Sequence, residues 1–285
     1  MSNKTMTLEQ LKDSLIKHGR RHNWYFHYTT SSVLEKMHNN NQVWLSSLGR
    51  MNDGKEAVLA TAKSTFAMCF SYGREESVAM WNAYGIPRRE AVRLCFDGVL
   101  LRKWLDEKLK DMRPYLAVNA EGTPIDEIPA RYVTIRLQDV AYAAGRNENI
   151  VYRNDLITVV EKGKQIKSLS PKLASFVKMG GWSYEREVRL VVKISNDYIV
   201  PDISYMVLDF GPVMKCLWEK RMIREEHPIV TSPWASTGKA KFMRDQKLLA
   251  RESFFAGYLD NLRTICDKCD AKIKACCTCE HKGAR

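Results

Sequence analysis

The chain has 285 residues and a formal net charge of +12, and 45% of its residues are hydrophobic while 27% are charged. This composition excludes long disorder and allows one large domain or two modest ones. The excess of Lys and Arg favours polyanionic partners, above all nucleic acid, although it also fits a basic protein that simply stays soluble. We expect a cytoplasmic protein without membrane segments, because the N-terminus lacks a signal-peptide core and no run reaches about 18 apolar residues.

Short strands and helices are predicted along the chain, without a regular alternation of strand and helix. The first part is predicted to hold, in order, a helix at 7–18, a strand at 23–29, a helix at 33–38, a strand at 42–46, a turn at 52–54, a helix from 56 and a strand at 66–71. The middle part is predicted to hold a helix at 75–84, a strand at 92–96, a helix at 99–112, a connection at 113–129, a strand at 131–137 and one or two helices at 154–178. The last part is predicted to hold strands at 184–193 and 203–210, a helix at 214–226, a strand at 228–231 and a long basic helix at 239–263. This order indicates an α+β fold, and the sequence has no glycine motif of the Rossmann or P-loop kind.

Residues 180–193, which read G-G-W-S-Y-E-R-E-V-R-L-V-V-K, carry the clearest candidate site. The alternation from Tyr184 predicts a half-buried strand on which Glu185 and Glu187 project from the same polar face. Two carboxylates held close together raise each other's pKa and can position a hydroxyl or a sugar. The alternative is a solvated strand face on which Glu185, Glu187 and Arg189 pair with neighbouring strands.

The order of several motifs resembles a large bacterial family of uncharacterised proteins. The motifs are F-H-Y-T-T-S-S, W-L-S-S, M-N-D-G-K-E, C-F-S, M-W-N-A-Y-G and W-S-Y-E-R-E-V-R-L. The resemblance covers about residues 24–234, and it implies no reaction by itself.

Three short segments follow one another along the chain: His27-Tyr28-Thr29, Phe70-Ser71 and Glu185-x-Glu187. They resemble, in the same order, the three motifs with which the ADP-ribosyltransferases bind NAD on a split α+β fold. The aromatic residue that would stack on nicotinamide is Tyr72, Trp81 or Tyr84. The resemblance implies an α+β fold with a split mixed or antiparallel β-sheet core and flanking helices, with NAD as a substrate.

The same resemblance implies a role for each residue. Glu187 would hydrogen-bond the ribose 2′-hydroxyl and stabilise an oxocarbenium-like transition state, and Glu185 would orient or deprotonate the acceptor. His27 and Thr29 would hold the ribose and the nicotinamide side. The pyrophosphate would be held by a helix N-terminus or by an arginine, either Arg50 or Arg189.

The resemblance also implies a biological role and a choice of partners. The chain would be a toxin or a phage-defence effector that modifies a nucleic acid or a protein, and a toxin of this kind would have a neutralising antitoxin protein as a partner. The net charge and the basic helices favour a nucleic acid as the acceptor, either RNA or DNA.

Four cysteines near the end of the sequence form two Cys-x-x-Cys pairs: Cys266, Cys269, Cys276 and Cys279. Four soft ligands at this spacing suit a tetrahedral Zn²⁺ ion, with Cys277 and His281 as spare candidates. The alternative is a disordered tail of reduced cysteines. A bound zinc ion would form a small basic knuckle able to hold RNA or DNA.

These observations leave three functional hypotheses and predict two parts in the chain. The hypotheses are an NAD-dependent transferase, a non-catalytic nucleic-acid-binding protein with a zinc knuckle, and a metal-dependent nuclease. The nuclease would use Asp53, Glu56, Glu185 and Glu187. The parts are an ADP-ribosyltransferase-like α+β domain at 1–238 and, at 239–285, a basic helix followed by the Cys-rich tail.

Overall fold

The computed structural model describes residues 22–51, 61–84, 90–143, 148–153, 156–161, 164–169, 175–198, 200–219, 221–235 and 241–256. Over these residues the chain is a mixed α+β protein in which a few short helices pack on a large, mostly antiparallel sheet. None of the helices in the described ranges is long and apolar enough to cross a membrane.

The strands are β1 (Trp24–Thr30), β2 (Gln42–Ser47), β3 (Thr65–Ser71), β4 (Ala91–Asp97), β5 (Tyr115–Val118), β6 (Pro124–Ile128), β7 (Val133–Asp139), β8 (Ala141–Ala143), β9 (Glu148–Arg153), β10 (Leu156–Glu161), β11 (Lys164–Leu169), β12 (Val177–Met179), β13 (Glu187–Ile194), β14 (Tyr205–Asp209), β15 (Ile229–Thr231) and β16 (Ala250–Glu252). The α-helices are α1 (Ser31–Asn40), α2 (Val78–Tyr84), α3 (Gly98–Lys108), α4 (Gly211–Trp218) and α5 (Lys241–Asp245). Short 3-10 turns cover Leu48–Arg50, Ala62–Ser64, Ala130–Tyr132 and Gly180–Glu185.

The unit β1–α1–β2 is set up by residues at the ends of its helix. Thr30 leaves β1 in an extended conformation and caps α1 by accepting a hydrogen bond from the backbone N–H of Val33. Asn41 follows the helix with a left-handed φ of 53°, which ends α1 and turns the chain into β2. β1 therefore ends at the start of α1, and β2 begins directly after the end of α1.

Strand β3 is the point at which the main sheet divides. Along one edge it pairs antiparallel with β13 over its whole length. Along the other edge it pairs with β2 near its start, at Phe66 and Ala67, and with β1 at its last residue, Ser71. Two branches leave β3 on this side, β1-β4-β15-β16 and β2-β14-β5-β6, and a cleft opens between them.

The hydrophobic core packs α1, α3 and α4 against the sheet. On β13 the buried side chains of Val188, Leu190 and Val192 belong to this core. Because successive side chains of a strand alternate, Glu187 and Arg189 project from the opposite face. Both of these charged residues are nevertheless buried, so that face of β13 is covered rather than solvated.

Many predicted elements are present with shifted ends. They are the strands at 23–29, 42–46, 66–71, 92–96, 131–137, 203–210 and 228–231 and the helices at 33–38, 75–84, 99–112 and 214–226. The helix at 7–18, the turn at 52–54 and the first residues of the helix from 56 lie outside the described ranges.

The helices predicted at 154–178 are wrong. Strands β9, β10 and β11 form a separate antiparallel sheet there, and β12 pairs in parallel with β8. The physical reason is the run I-T-V-V in β10, because β-branched residues favour an extended backbone.

Two further segments also differ from the prediction. The connection predicted at 113–129 contains the hairpin β5–β6, whose turn is closed by Asn119 accepting hydrogen bonds from the backbone N–H groups of Glu121 and Thr123. The described part of the long helix predicted at 239–263 holds only the short α5 and the edge strand β16, which pairs in parallel with β15. In the segment at 113–129 the Asn119 side chain stabilises a hairpin turn, and in the segment at 239–263 pairing with β15 favours a strand over the predicted helix.

The strand predicted from Tyr184 begins three residues later. Gly180–Glu185 is a 3-10 turn, Arg186 has a left-handed φ of 46°, and β13 begins at Glu187. The two glutamates therefore lie on either side of a kink in the backbone and not on one regular strand.

Candidate active site

A cavity of about 540 Å³ fills the cleft where the two sheet branches leave β3. Its walls are formed by His27, Tyr28 and Thr29 of β1, by Lys36 of α1 and by residues of β2, and Ala67, Met68 and Cys69 of β3 lie between them. The turn of the β5–β6 hairpin and Tyr205 of β14 close the far side. The division of the sheet thus creates a cavity of the size typical for small-molecule sites.

His27 occupies the gap that the missing strand pairing leaves beside β3. Its Nδ1 atom lies 2.8 Å from the backbone carbonyl oxygen of Cys69. A carbonyl oxygen only accepts hydrogen bonds, so Nδ1 carries the proton, and burial lowers the pKa of His27 and favours the neutral ring. Nε2 of this cavity-lining ring is therefore a hydrogen-bond acceptor, suited to a hydroxyl group of a ligand.

Two exposed cations lie at the cavity, Lys36 on α1 and Arg50 on the 3-10 turn after β2. The Arg50 guanidinium donates hydrogen bonds to the Ser204 and Tyr205 hydroxyls and lies 5.2 Å from the centre of the Tyr205 ring. These contacts hold the guanidinium in place, while Glu121 is the acidic residue on the lining. The mouth of the cavity is therefore suited to an anionic group such as a phosphate.

Aromatic side chains form another part of the lining. Trp44 is 42% exposed, and its ring centre lies 5.5 Å from that of Tyr205. Gly122 in the hairpin turn has a φ of 86° and lies against the indole ring. A Cβ atom on Gly122 would come within 2.9 Å of Trp44 Cη2. Trp182 and Tyr84 line the cavity at the other side. Flat, partly exposed rings of this kind can stack on the rings of a nucleotide.

The two glutamates meet around a buried lysine. Lys178 Nζ lies 2.7 Å from Oε2 of Glu185 and 2.7 Å from Oε2 of Glu187, and the two glutamates are only 1% and 3% exposed. Tyr84 donates a hydrogen bond to Glu185. Lys178, Tyr84 and Arg189 line the cavity, so the carboxylates lie directly behind its wall.

Glu187 is held on several sides. Arg189 Nε donates to its Oε1 at 2.6 Å, and Arg189 Nη2 donates to its Oε2 at 3.3 Å. Its backbone N–H donates to the Tyr142 hydroxyl at 2.8 Å. The guanidinium of Arg189 also donates from Nη1 to the carbonyl oxygen of Ser175 at 2.7 Å. Glu187 and Arg189 thus form a buried ion pair within one strand, which differs from the solvated face paired with neighbouring strands that the sequence left open as an alternative.

The environment drives the pKa values of the two glutamates in opposite directions. Burial and the charge of Glu187 raise the pKa of Glu185. Burial alone would raise the pKa of Glu187 as well, but the charges of Arg189 and Lys178 outweigh it and lower the pKa to about 2. Burial would lower the pKa of Lys178, and the neighbouring Glu187 charge instead raises it. Glu187 is thus a fixed anion, and Glu185 is the carboxylate better able to take up a proton.

Most of the predicted cofactor-binding residues lie at this cavity. His27, Tyr28, Thr29, Tyr84 and Arg50 line it. Of the three aromatic candidates for stacking, Tyr84 is the one that reaches the cavity.

Ser71 and Trp81, which the sequence also placed at the cofactor, lie elsewhere. Ser71 is buried on β3 opposite Glu187, and its hydroxyl accepts a hydrogen bond from the backbone N–H of Gly73. Trp81 is fully buried and packs edge-on against Tyr28 with ring centres 4.9 Å apart. Both residues therefore support the cavity from behind and do not line it.

Sequence reasoning missed Lys178, Trp44 and Tyr142. Lys178 fell within a segment predicted to be helical, where a lysine suggests a solvated face. A polar residue on the buried strand β12, close to two glutamates, would have been a signal for it. Trp44 could have been found as a candidate site residue because it is a large aromatic residue close to the serines of W-L-S-S.

The residues of the metal hypotheses lie largely outside the described ranges. These are Asp53 and Glu56 for the nuclease and Cys266, Cys269, Cys276 and Cys279 for zinc. Within the described ranges, no group of three or more His, Cys, Asp or Glu residues is placed to hold a metal ion.

Comparison of the chain with known protein families, with characterised proteins and with solved structures finds no match.

Proposed function

We propose that the chain is an NAD-dependent ADP-ribosyltransferase and that NAD binds in the cleft beside β3. The observation that carries the proposal is the convergence, on one cavity, of His27 and Thr29, the exposed cations Lys36 and Arg50, and the cluster around Glu187. These residues come from distant parts of the sequence, and their residue types are those expected for ribose, pyrophosphate and reacting carbon.

The lining is suited to the three parts of a dinucleotide. The neutral His27 ring offers Nε2 as an acceptor for a ribose hydroxyl, and Thr29 lies next to it on the lining. Lys36 and Arg50 would pair with the pyrophosphate, since guanidinium and ammonium groups form charge-assisted hydrogen bonds with phosphate oxygens. Trp44 and Tyr84 would stack on the two bases. A volume of about 540 Å³ is within the range of sites for molecules of this size.

In the proposed reaction the bond between ribose C1′ and nicotinamide N1 breaks, and its electron pair leaves with nicotinamide. A nucleophilic oxygen or nitrogen of the acceptor forms the new bond to C1′. Glu187, held anionic, stabilises the positive charge that develops on the ribose. The proton of the acceptor passes to Glu185 through the Tyr84 hydroxyl, which donates a hydrogen bond to that carboxylate.

Lys178 has to change partner for Glu187 to act in this way. Its ammonium is shared between the two carboxylates and also lines the cavity. A bound pyrophosphate would draw the ammonium towards itself, and Oε2 of Glu187 would then be open to the ribose 2′-hydroxyl. Arg189 would keep its hydrogen bond to Oε1 and fix the orientation of the carboxylate.

A second candidate function is a basic nucleic-acid-binding protein without catalysis. It is favoured by the complete pairing of Glu187 with Arg189 and Lys178, which also fits a purely structural role. The two functions differ in one measurable property, the release of nicotinamide from NAD.

The test is a transfer assay on the full chain with NAD labelled in its ADP-ribose half. Total RNA, DNA and soluble protein from a bacterial lysate serve as separate acceptors. We expect label to move into one fraction, and we expect Glu187→Gln to lower the rate by about 100-fold or more because it removes the fixed charge. The matched control is Glu127→Gln, an exposed carboxylate on β6, which should react like the wild type.

A second pair of variants tests the cavity without disturbing the buried cluster. Lys36→Ala combined with Arg50→Ala should raise the KM for NAD about tenfold or more while leaving the melting temperature unchanged, because both side chains are exposed. Lys103→Ala combined with Lys110→Ala removes the same charge from an exposed part of α3 and the turn after it, and should have no effect. Absence of transfer and of nicotinamide release with every acceptor would contradict the transferase function.

A further inference from the structure

A second cavity, of about 480 Å³, lies along β7 and β13 and has a basic lining. Its cations are Arg131, Arg136 and Lys193, and its acidic residue is Asp197. Arg131 and Arg136 are exposed. We call this cavity the β7–β13 groove.

The cations of the β7–β13 groove are held at regular positions by the strands. Lys193 lies opposite Thr134 in the antiparallel pair, and Arg136 is two residues further along β7. Such diagonal neighbours lie roughly 7–8 Å apart, similar to the spacing of successive phosphates in a stretched nucleic-acid strand. The Arg131 guanidinium lies 4.8 Å from the centre of the Tyr132 ring, which fixes it at the end of the row.

The β7–β13 groove and the candidate active site lie at two places along the same face of β13, with the buried residues Arg189 and Ser175 between them. Alternate residues of a strand share a face, so Arg189 and Lys193 point to the same side of β13. Arg189 lines the first cavity, and its Nη1 donates to the carbonyl oxygen of Ser175, a residue that lines the groove. Four residues of strand, roughly 13 Å, separate Arg189 from Lys193.

We propose that the β7–β13 groove binds a single-stranded nucleic acid and directs it to the cleft as the acceptor of ADP-ribose. The inference rests on the proposed function, and it adds the class of the acceptor and the surface that holds it. Arg131, Arg136 and Lys193 pair with successive phosphates. A base beyond the end of this row of cations is then presented to the cleft.

The lining fits a nucleic acid better than an acidic peptide. Hydroxyl and amide side chains of Thr134, Ser195 and Asn196 also line the groove, and such groups commonly contact phosphate and sugar oxygens. The arginine fork matches the two oxygens of a phosphate. A single strand is favoured over a duplex because an enzyme that reacts with a base needs that base out of the stack.

The experiment measures the binding of fluorescein-labelled 20-nucleotide single strands, of RNA and of DNA, to the full chain without NAD. Anisotropy titrations are repeated between about 50 and 200 mM salt. Arg131→Ala combined with Arg136→Ala should reduce the slope of log K against log salt by roughly 1.4 and weaken binding about 25-fold at 0.1 M salt, because each lost phosphate contact contributes about 0.7 to the slope. Lys103→Ala combined with Lys110→Ala has the same net charge and should bind like the wild type.

Equal losses in the two double variants would overturn the inference, since they would show that net charge and not the β7–β13 groove binds the strand. Absence of measurable binding by the wild type, or equally effective competition by polyglutamate, would overturn it as well. The release of nicotinamide from NAD, measured in parallel, tests the proposed function independently. Loss of strand binding in the groove variant with no NAD consumption by the wild type would reject the transferase while keeping a nucleic-acid surface.

Discussion

At the scale of single residues, Glu187 should give the chain a marked dependence of stability on acid. Its folded-state pKa of about 2 lies below the ordinary 4.5, so its contribution is complete above pH 4.5 and is lost as the pH falls towards 2. The shift corresponds to about 3 kcal/mol of the free energy of unfolding. Urea unfolding at intervals from pH 6 to pH 2 should show this loss in the wild type and not in Glu187→Gln.

Glu185 should change the pH dependence of the free energy of unfolding in the opposite direction to Glu187. Because the pKa of Glu185 is raised, the folded state takes up its proton first, and this group adds stability as the pH falls towards 4.5. Glu185→Gln should therefore remove a gain at mildly acidic pH and leave the loss at lower pH in place. A wild-type curve parallel to that of Glu187→Gln down to pH 2 would contradict the assignment.

The pair of glutamates also shows what sequence reasoning can reach at this scale. Residue spacing was enough to expect Glu185 and Glu187 to act together. It could not supply the left-handed Arg186 between them, nor the fact that Lys178 from another strand joins their carboxylates. Burial of a charged pair depends on partners that are distant in sequence, and local alternation is equally consistent with a solvated face.

At the scale of elements, the turn of the β5–β6 hairpin should influence the affinity for NAD, because it holds the Trp44 indole in place. Gly122→Ala places a Cβ atom within 2.9 Å of Trp44 Cη2 at a φ of 86°, where any other residue than glycine is strained. We expect a loss of about 1–2 kcal/mol in the free energy of unfolding and a raised KM for NAD, because the indole must move. Denaturant unfolding and steady-state kinetics measure the two effects.

Gly181→Ala is the matched control for that variant. A Cβ atom at Gly181 meets nothing within 4 Å, so the same change in residue type should alter neither stability nor KM appreciably. If Gly122→Ala bound NAD as tightly as Gly181→Ala, the hairpin turn would have no part in the site.

Elements themselves were predictable where one local signal dominated. β1, α1 and β2 follow directly from the aromatic run, the Thr30 cap and the Asn41 turn. The segment at 154–178 was not predictable in the same way, because its basic residues suggested the outer face of a helix while the structure pairs it as strands. Such conflicts are settled by pairing between strands, which a local pattern does not contain.

At the scale of the whole molecule, the division of the sheet is the feature that sequence patterns could not derive. β3 pairs with β1 and β2, which precede it in the sequence, and with β13, which follows it much later. The cleft exists because β1 and β2 pair with the same edge of β3. Pairings of this kind depend on the order in which distant strands meet.

The last prediction concerns the attachment of β16 to the rest of the molecule. The side chain of Glu76 is only 3% exposed, and its carboxylate accepts hydrogen bonds from Trp81 Nε1, Arg251 Nη1, the Ser253 hydroxyl and the backbone N–H of Phe254. The contacts with Arg251, Ser253 and Phe254 join positions 175 to 178 residues apart, and removing the carboxylate leaves several donors without their acceptor. Glu76→Ala should lower the free energy of unfolding by about 3 kcal/mol.

Glu76→Ala should affect hydrogen exchange near β16 more strongly than it affects the global free energy of unfolding. Amide hydrogen exchange over Arg251–Phe254 should accelerate well beyond the change expected from global stability, because β16 loses its side-chain anchor while the remaining sheet keeps its pairing. Glu75→Ala is the control, since that neighbouring side chain is 85% exposed. Equal protection of this segment in the two variants would show that the parallel pairing with β15 suffices to hold β16, and Glu76 would then be a local cap and not a tie across the molecule.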